Sequence, residues 1–161
     1  MTNRPITAAT NAQLLASFRE GRTLASLEWE GFLIVMAEGN SPEWRCGELY
    51  APAEMNDAAR TLPNEGWPYT GDVTIRGLYS GRYHLGWDYN HTFNDRPGLS
   101  RLPGTEMVFR AALPMAAVIR DRHHTALAMK RALAEPEHLF SMLHALAPYP
   151  MDPAIRAQVG G

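Results

Sequence analysis

Between Asp72 and His91 the chain reads DVTIRGLYSGRYHLGWDYNH, where Asp72 and Arg76, then His84 and Asp88, recur at spacings of four. Apolar residues alternate with them, the period of a half-buried β-strand, so a hairpin here would collect the polar side chains on one face. As cross-strand neighbours, Asp72 and Asp88 can share a proton or a cation, because like charges at that range raise one pKa or recruit a counter-ion. Such pairs also serve acid–base chemistry. Arg76 beside His84 makes a compact donor patch suited to an anion or a partner's carboxylate. The plainer alternative is a solvated strand face with both aspartates splayed into water.

The hairpin register decides which of these contacts exist, because a one-residue slip turns every side chain to the other face. A two-residue Ser80-Gly81 turn sets the apolar residues of one strand against the polar residues of the other. A three-residue loop, Tyr79-Ser80-Gly81 with Gly81 left-handed, avoids that conflict. It pairs Val73 with Trp87, Ile75 with Leu85 and Gly77 with Tyr83. Asp72 then lies opposite Asp88, Thr74 opposite Gly86, and Arg76 opposite His84.

Upstream, Thr10 and Gln13 have capping-box spacing and open a helix over residues 11–20. Strands are expected at 24–29, 32–37 and 44–50, a helical turn at 55–62 and a surface loop at 63–69. Residues 107–113 fit either an edge strand or the start of a helix, since periodicity alone does not decide, and strand is the preferred reading. Pro114 suits a first helical position, and Met115, Val118, Ile119, Ala126, Met129 and Leu133 follow at helical spacing. Pro136 opens a second helix carrying Leu139, Phe140, Leu143 and Leu146. The expected fold is α+β: an antiparallel sheet of about four to six strands with an N-terminal helix and two C-terminal helices packed on it. One domain spans residues 1–161, with 1–9 and 151–161 as flexible ends, and no internal repeat is visible.

Composition narrows the functions. A chain of 161 residues, 45% hydrophobic and 20% charged, has the make-up of a soluble globular domain. No apolar run approaches the ~20 residues of a membrane span, and the N-terminus lacks the apolar block of a secretory signal. A formal charge of −2 with acids and bases interspersed argues against strong direct nucleic-acid binding. The lone Cys46 excludes an internal disulfide and fits a reducing, cytoplasmic setting. No metal or other cofactor is expected: His84 and Asp88 are about 13 Å apart on a regular strand, and His91 points to the opposite face. His123-His124 is adjacent on a helix, so its rings diverge.

Three resemblances bear on function. The H-x-x-x-D spacing of His84 and Asp88 is similar to the first zinc motif of lysostaphin-like peptidases, whose H-x-H motif is missing. Cys46 followed by Gly71-Asp72-Val73 and His84 resembles the chain order of NlpC/P60-type thiol hydrolases. That resemblance implies Cys46 as nucleophile, His84 as base and Asp88 or Asn90 as orienting group. Cys46 sits in a strand-like run, away from the helix N-terminus that would lower a thiol pKa, and reads as well as a structural cysteine. Lastly, Cys46-Gly47 with Pro52, Arg76-Gly77-Leu78, and Leu85-Gly86-Trp87-Asp88 with His91 and Asp95 resemble a family of small phage and prophage proteins. Its pattern runs C-G-Y-x-x-V-P, H-G-G-L-T and W-W-x-G-F-D-C-A-H-x-G-D, over about residues 31–95 here. This chain has Glu48 for the Tyr, Arg76 for the first His and Tyr89 for the second Cys, and Asp95 lies one residue late. The resemblance implies a genomic setting and no mechanism.

The leading expectation is therefore a non-enzymatic accessory protein of a phage or mobile element, acting as a counter-defence, anti-CRISPR-like inhibitor. Its partner is a host or phage protein complex or a small signalling ligand, and self-association stays open. Binding is expected through Arg76, His84, Asp72, Asp88, Asn90 and Trp67, with Trp29, Trp44 and Trp87 as further aromatic anchors. The alternatives are a thiol hydrolase using Cys46, His84 and Asp88, and a metal-binding protein using His84 and Asp88.

Overall fold

A strand that is apolar at consecutive positions has to be covered on both faces, and this requirement organises the fold around β2 (Phe32–Glu38), which is buried from Phe32 to Ala37. The computed structural model describes residues 7–70, 72–90 and 100–135, together with Glu137 and Leu143. β1 (Thr23–Trp29), β2, β3 (Arg45–Tyr50), β4 (Val73–Tyr79) and β5 (Arg82–Asp88) form one antiparallel sheet in the order β1-β2-β3-β5-β4. With its flanking helices the protein is α+β. On one face Phe32, Ile34 and Met36 join Leu49, Leu85 and Trp87 in the larger core. On the other, Leu33, Val35 and Ala37 pack with Leu14, Phe18 and Tyr50.

α1 (Asn11–Ser17) begins at the expected capping box: the Gln13 amide donates to Thr10 Oγ1 at 3.1 Å, and the Thr10 amide donates to Gln13 Oε1 at 2.9 Å. It stops before the expected residue 20 because Phe18 turns extended and sends its ring onto Tyr50. A 3-10 turn (Ala53–Met55) leads into α2 (Asn56–Arg60), where a helical turn was expected.

α3 (Thr105–Ala134) corrects the reading of residues 107–113 as strand. Val108, Ala111, Ala112, Met115, Ala116 and Ile119 are all buried, a 3.6-residue stripe that a period-2 reading breaks up. Pro114 lies inside this helix and does not start it. The contacts divide the chain into two compact units, Met1–His123 and His124–Gly161. In the second unit Met129 and Leu133, expected in the core stripe, are exposed. Apart from Glu137 and Leu143, the helix expected after Pro136 lies outside the described residues, as do 1–6 of the N-terminal end and the whole C-terminal end.

The β4–β5 register also departs from expectation. The turn has two residues, Ser80 and Gly81, both left-handed (φ 49° and 79°), so Tyr79 faces Arg82 and Gly77 faces His84. This is the mirror-image turn that matches strand twist. The conflict of polarity that disfavoured it is relieved by a β-bulge between Val73 and Ile75, where Thr74 is the extra residue. Val73 therefore still faces Trp87, as expected, while Ile75 lies opposite Gly86 and Arg76 opposite Leu85. The first hairpin follows the same scheme fifty residues earlier: Trp29 faces Phe32, Glu30 and Gly31 form a left-handed turn, and a bulge falls between Thr23 and Ala25. The structural repeat has no counterpart in side-chain identity beyond the glycine, which hides it from sequence inspection.

Candidate functional site

Since α1 ends at Ser17, the β3–β5–β4 part of its sheet face keeps an open cleft of about 390 Å³. Cys46, Glu48 and Tyr50 alternate onto this face from β3 and lie opposite Asp88, Gly86 and His84 of β5. Gly86 supplies no side chain, so space remains between Glu48 and Ile75, which sits opposite Gly86 on the other side. Arg22, just before β1, and Trp44, just before β3, close the cleft's near end. A Cβ at Gly39 would come within 2.3 Å of the Trp44 ring, so that glycine seats the indole.

The charges are layered. The Glu48 side chain is only 6% exposed, and its Oε1 accepts from an Arg22 guanidinium nitrogen at 3.0 Å. The Tyr50 hydroxyl donates to Oε2 at a longer 3.5 Å. His84 stacks on Tyr50 with ring centroids 4.5 Å apart and planes within 6°. Its Nε2 is buried without a hydrogen-bond partner in the protein, 3.7 Å from Glu48 Oε1. Burial lowers the His84 pKa, opposed by Glu48 and assisted by Arg22.

A histidine buried neutral takes up its proton more readily when unfolded. Its contribution to stability is thus complete above the ordinary value of 6.5 and is lost as pH falls from there through the folded-state pKa. Thermal melts from pH 7.5 to pH 5 should show a steeper loss of Tm in the wild type than in His84→Gln. Parallel curves for the two proteins would refute this.

The other sequence-predicted residues disperse. Arg76 and His84 are not neighbours: Arg76 lies across from Leu85, on the opposite face, and donates to the carbonyls of Ala59, Arg60 and Leu62, to Asn64 Oδ1 and to the Tyr83 hydroxyl. It fastens the end of α2 to the sheet. Asp72 is exposed before β4 begins, and Asp88 has Cys46 as its partner across β3. The Asn90 amide donates to Asp88 Oδ1 at 3.0 Å, which holds that carboxylate at the cleft rim. Trp67 bonds through Nε1 to the Pro63 carbonyl and packs against the larger core, and Trp87 is buried there. His91 and Asp95 lie outside the described residues.

Cys46 and His84 occupy the same face but not the same place. Cys46 faces Asp88 and His84 faces Tyr50, an offset of four residues along the ladder, or about 13 Å. The thiol is directed at the carbonyls of Ala37 and Glu38. Burial, then Glu48, push its pKa up to about 11, with Arg22 pulling the other way. Among the described residues no group of three or more His, Cys, Asp or Glu is arranged to hold a metal ion. No described helix is long and apolar enough to cross a membrane.

Arg22, Trp44 and Glu48 were not read from the sequence as one site. A glutamate flanked by apolar neighbours in a strand, in phase with Cys46 and Tyr50, was the available signal for Glu48. Arg22 had none, because its approach to Glu48 depends on how β1 and β2 pair. Compared with known proteins, the chain matches no family model, no curated sequence and no solved structure.

Proposed function

We propose that the protein is a non-enzymatic binder, an accessory factor of a phage or mobile element that occupies and inhibits a host component from within a reducing cytoplasm. The observation that carries this reading is the open cleft, where an apolar wall of Trp44 and Ile75 meets the polar groups of Arg22, Glu48 and Asp88. A concave site with a mostly apolar wall and a few convergent polar groups is how proteins take ligands. Ile75 is 54% exposed, which gives the cleft an apolar border. The phage setting is supported by the motif resemblance over about residues 31–95.

Neither alternative gains from the geometry. A thiol pushed up to about 11 is roughly 0.1% ionised at pH 8, and its intended base is four residues away along the sheet. His84 and Asp88 have the same separation on β5, too far apart for one ion.

The test is capture of a host component by immobilised protein. Trp44→Ala and Ile75→Asp should each weaken it by about tenfold or more, the scale of a lost interface anchor, while Cys46→Ala leaves it intact. Iodoacetamide should label Cys46 slowly at pH 8. Fast labelling at neutral pH, with a hydrolytic activity that Cys46→Ala abolishes, would overturn the reading.

A further inference from the structure

We propose that Glu48 is a counter-ion shared by Arg22 and His84, and that a proton on His84 draws it away from Arg22 and releases the guanidinium that closes the near end of the cleft. The consequence for binding rests on the proposed role of the cleft, whereas the exchange is a property of the three side chains.

Geometry sets one carboxylate between two claimants. His84 and Glu48 lie one diagonal step apart on adjacent strands, since Gly86, two residues after His84, is the residue that faces Glu48. The histidine ring leans over that glycine, with Nε2 3.5 Å from where a Cβ would stand, and stacking on Tyr50 fixes its plane. Nε2 ends 3.7 Å from Glu48 Oε1, within ion-pair reach but beyond the ~3.2 Å of a hydrogen bond, and it is buried with no partner among the described residues. The same oxygen accepts from Arg22 at 3.0 Å.

A neutral imidazole needs no counter-ion, so Arg22 holds Glu48 while His84 is unprotonated. A proton there changes the balance. Two cations then share one carboxylate withdrawn from water, and the more exposed of them loses least by returning to solvent. The Arg22 side chain is 41% exposed and that of His84 13%.

The other groups around His84 offer it no anion. Arg82, two residues before it on β5, is a further cation, held by the carbonyls of Ala51, Tyr50 and Gly31. From β3 comes the Tyr50 hydroxyl, whose pKa burial raises, so it stays neutral. From β4 comes Tyr79, whose ring meets Tyr50 and whose hydroxyl shares a hydrogen bond with Ser17 of α1. Burial lowers the His84 pKa most, Glu48 raises it and Arg22 lowers it. Departure of Arg22 therefore makes the proton easier to hold, and protonation and release reinforce each other. Arg22, Gly39 and Asn40 also line a second concavity of about 460 Å³, where Glu20 and Glu38 can receive the released guanidinium.

The test is an NMR titration of the full chain from pH 8 to pH 4.5. The His84 ring signals and the Arg22 guanidinium signal should move with one midpoint, below the ordinary histidine value of 6.5. In Arg22→Gln, at a partly exposed position where folding is little affected, the midpoint should rise by about 1 pH unit, the scale of a neighbouring charge. Arg22→Lys should keep it low. Glu48→Gln should lower it further and leave the Arg22 signal free from pH 8 downward. An Arg22 signal that ignores His84, a midpoint indifferent to Arg22→Gln, or a His84 that stays neutral down to acid unfolding would overturn the exchange. Partner capture equal on both sides of the midpoint would overturn its consequence for binding. Because the titration reads the free protein, failure to capture any host component would overturn the binding role alone.

Discussion

Replacing Arg82 by Met should lower the unfolding free energy by about 3–5 kcal/mol, because several buried acceptors lose a charged donor at once. Arg82 is 3% exposed, although it opens a strand next to a turn. Its Nε donates to the Ala51 carbonyl at 2.8 Å, one terminal nitrogen to the carbonyls of Gly31 and Tyr50, and the other to the Ala9 carbonyl and Asn11 Oδ1. One side chain thus ties the first hairpin turn, the end of β3 and the start of α1 to β5. Methionine fills much of the volume but leaves these acceptors without donors, and each unsatisfied buried acceptor costs about 1–3 kcal/mol before relaxation. Lysine should rescue little, because an ammonium cannot reproduce the planar fork that reaches acceptors on three segments. Denaturant titration at pH 7 measures the effect; a loss below about 1 kcal/mol would show that water replaces the guanidinium at little cost.

The second large effect is expected at Gly47, which faces Trp87 across β3 and β5. A Cβ there would fall 2.4 Å from two atoms of the indole. That ring is 1% exposed in the larger core, and its Nε1 donates to the Tyr89 hydroxyl at 3.1 Å. It has little room to retreat, so Gly47→Ala should cost about 3 kcal/mol, the upper part of the range for overpacking. Trp87→Ala should cost about 3–5 kcal/mol by leaving a cavity. In a double-mutant cycle the two losses should fall short of adding by about 0.5–3 kcal/mol, because the alanine methyl then has space to occupy. Strict additivity would mean that the Gly47 penalty comes from backbone conformation and not from the ring.

The elements of the sheet were legible where pattern and chemistry agreed. Thr10 with Gln13 marked the start of α1, the apolar run of residues 32–37 marked β2 as a strand, and alternation from Val73 to Trp87 marked the β4–β5 hairpin. The site was legible only in part. Cys46, Asp88 and Asn90 were singled out and do line the cleft, but Arg76 was assigned to the wrong face. One residue caused that error: alternation counts positions, and the bulge at Thr74 adds one without changing the apolar pattern enough to reveal it. Arg22 and Glu48 meet across 26 residues of sequence, and such a contact is set by strand pairing and not by any local signal. The helical period of residues 108–119 was masked by Pro114, whose usual place at a helix start outweighed the spacing of the small residues around it.

The shared pairing scheme of the two hairpins has a consequence for how other molecules can approach. Both outermost strands, β1 and β4, carry their irregularity one residue from their N-terminal ends, where each would otherwise offer an unbroken row of main-chain donors and acceptors. A kink there adds local twist and spoils the straight template that an incoming strand would need. The sheet is thereby guarded against growth by edge-to-edge recruitment, including runaway stacking of identical copies, and a visitor is left to approach over its broad side.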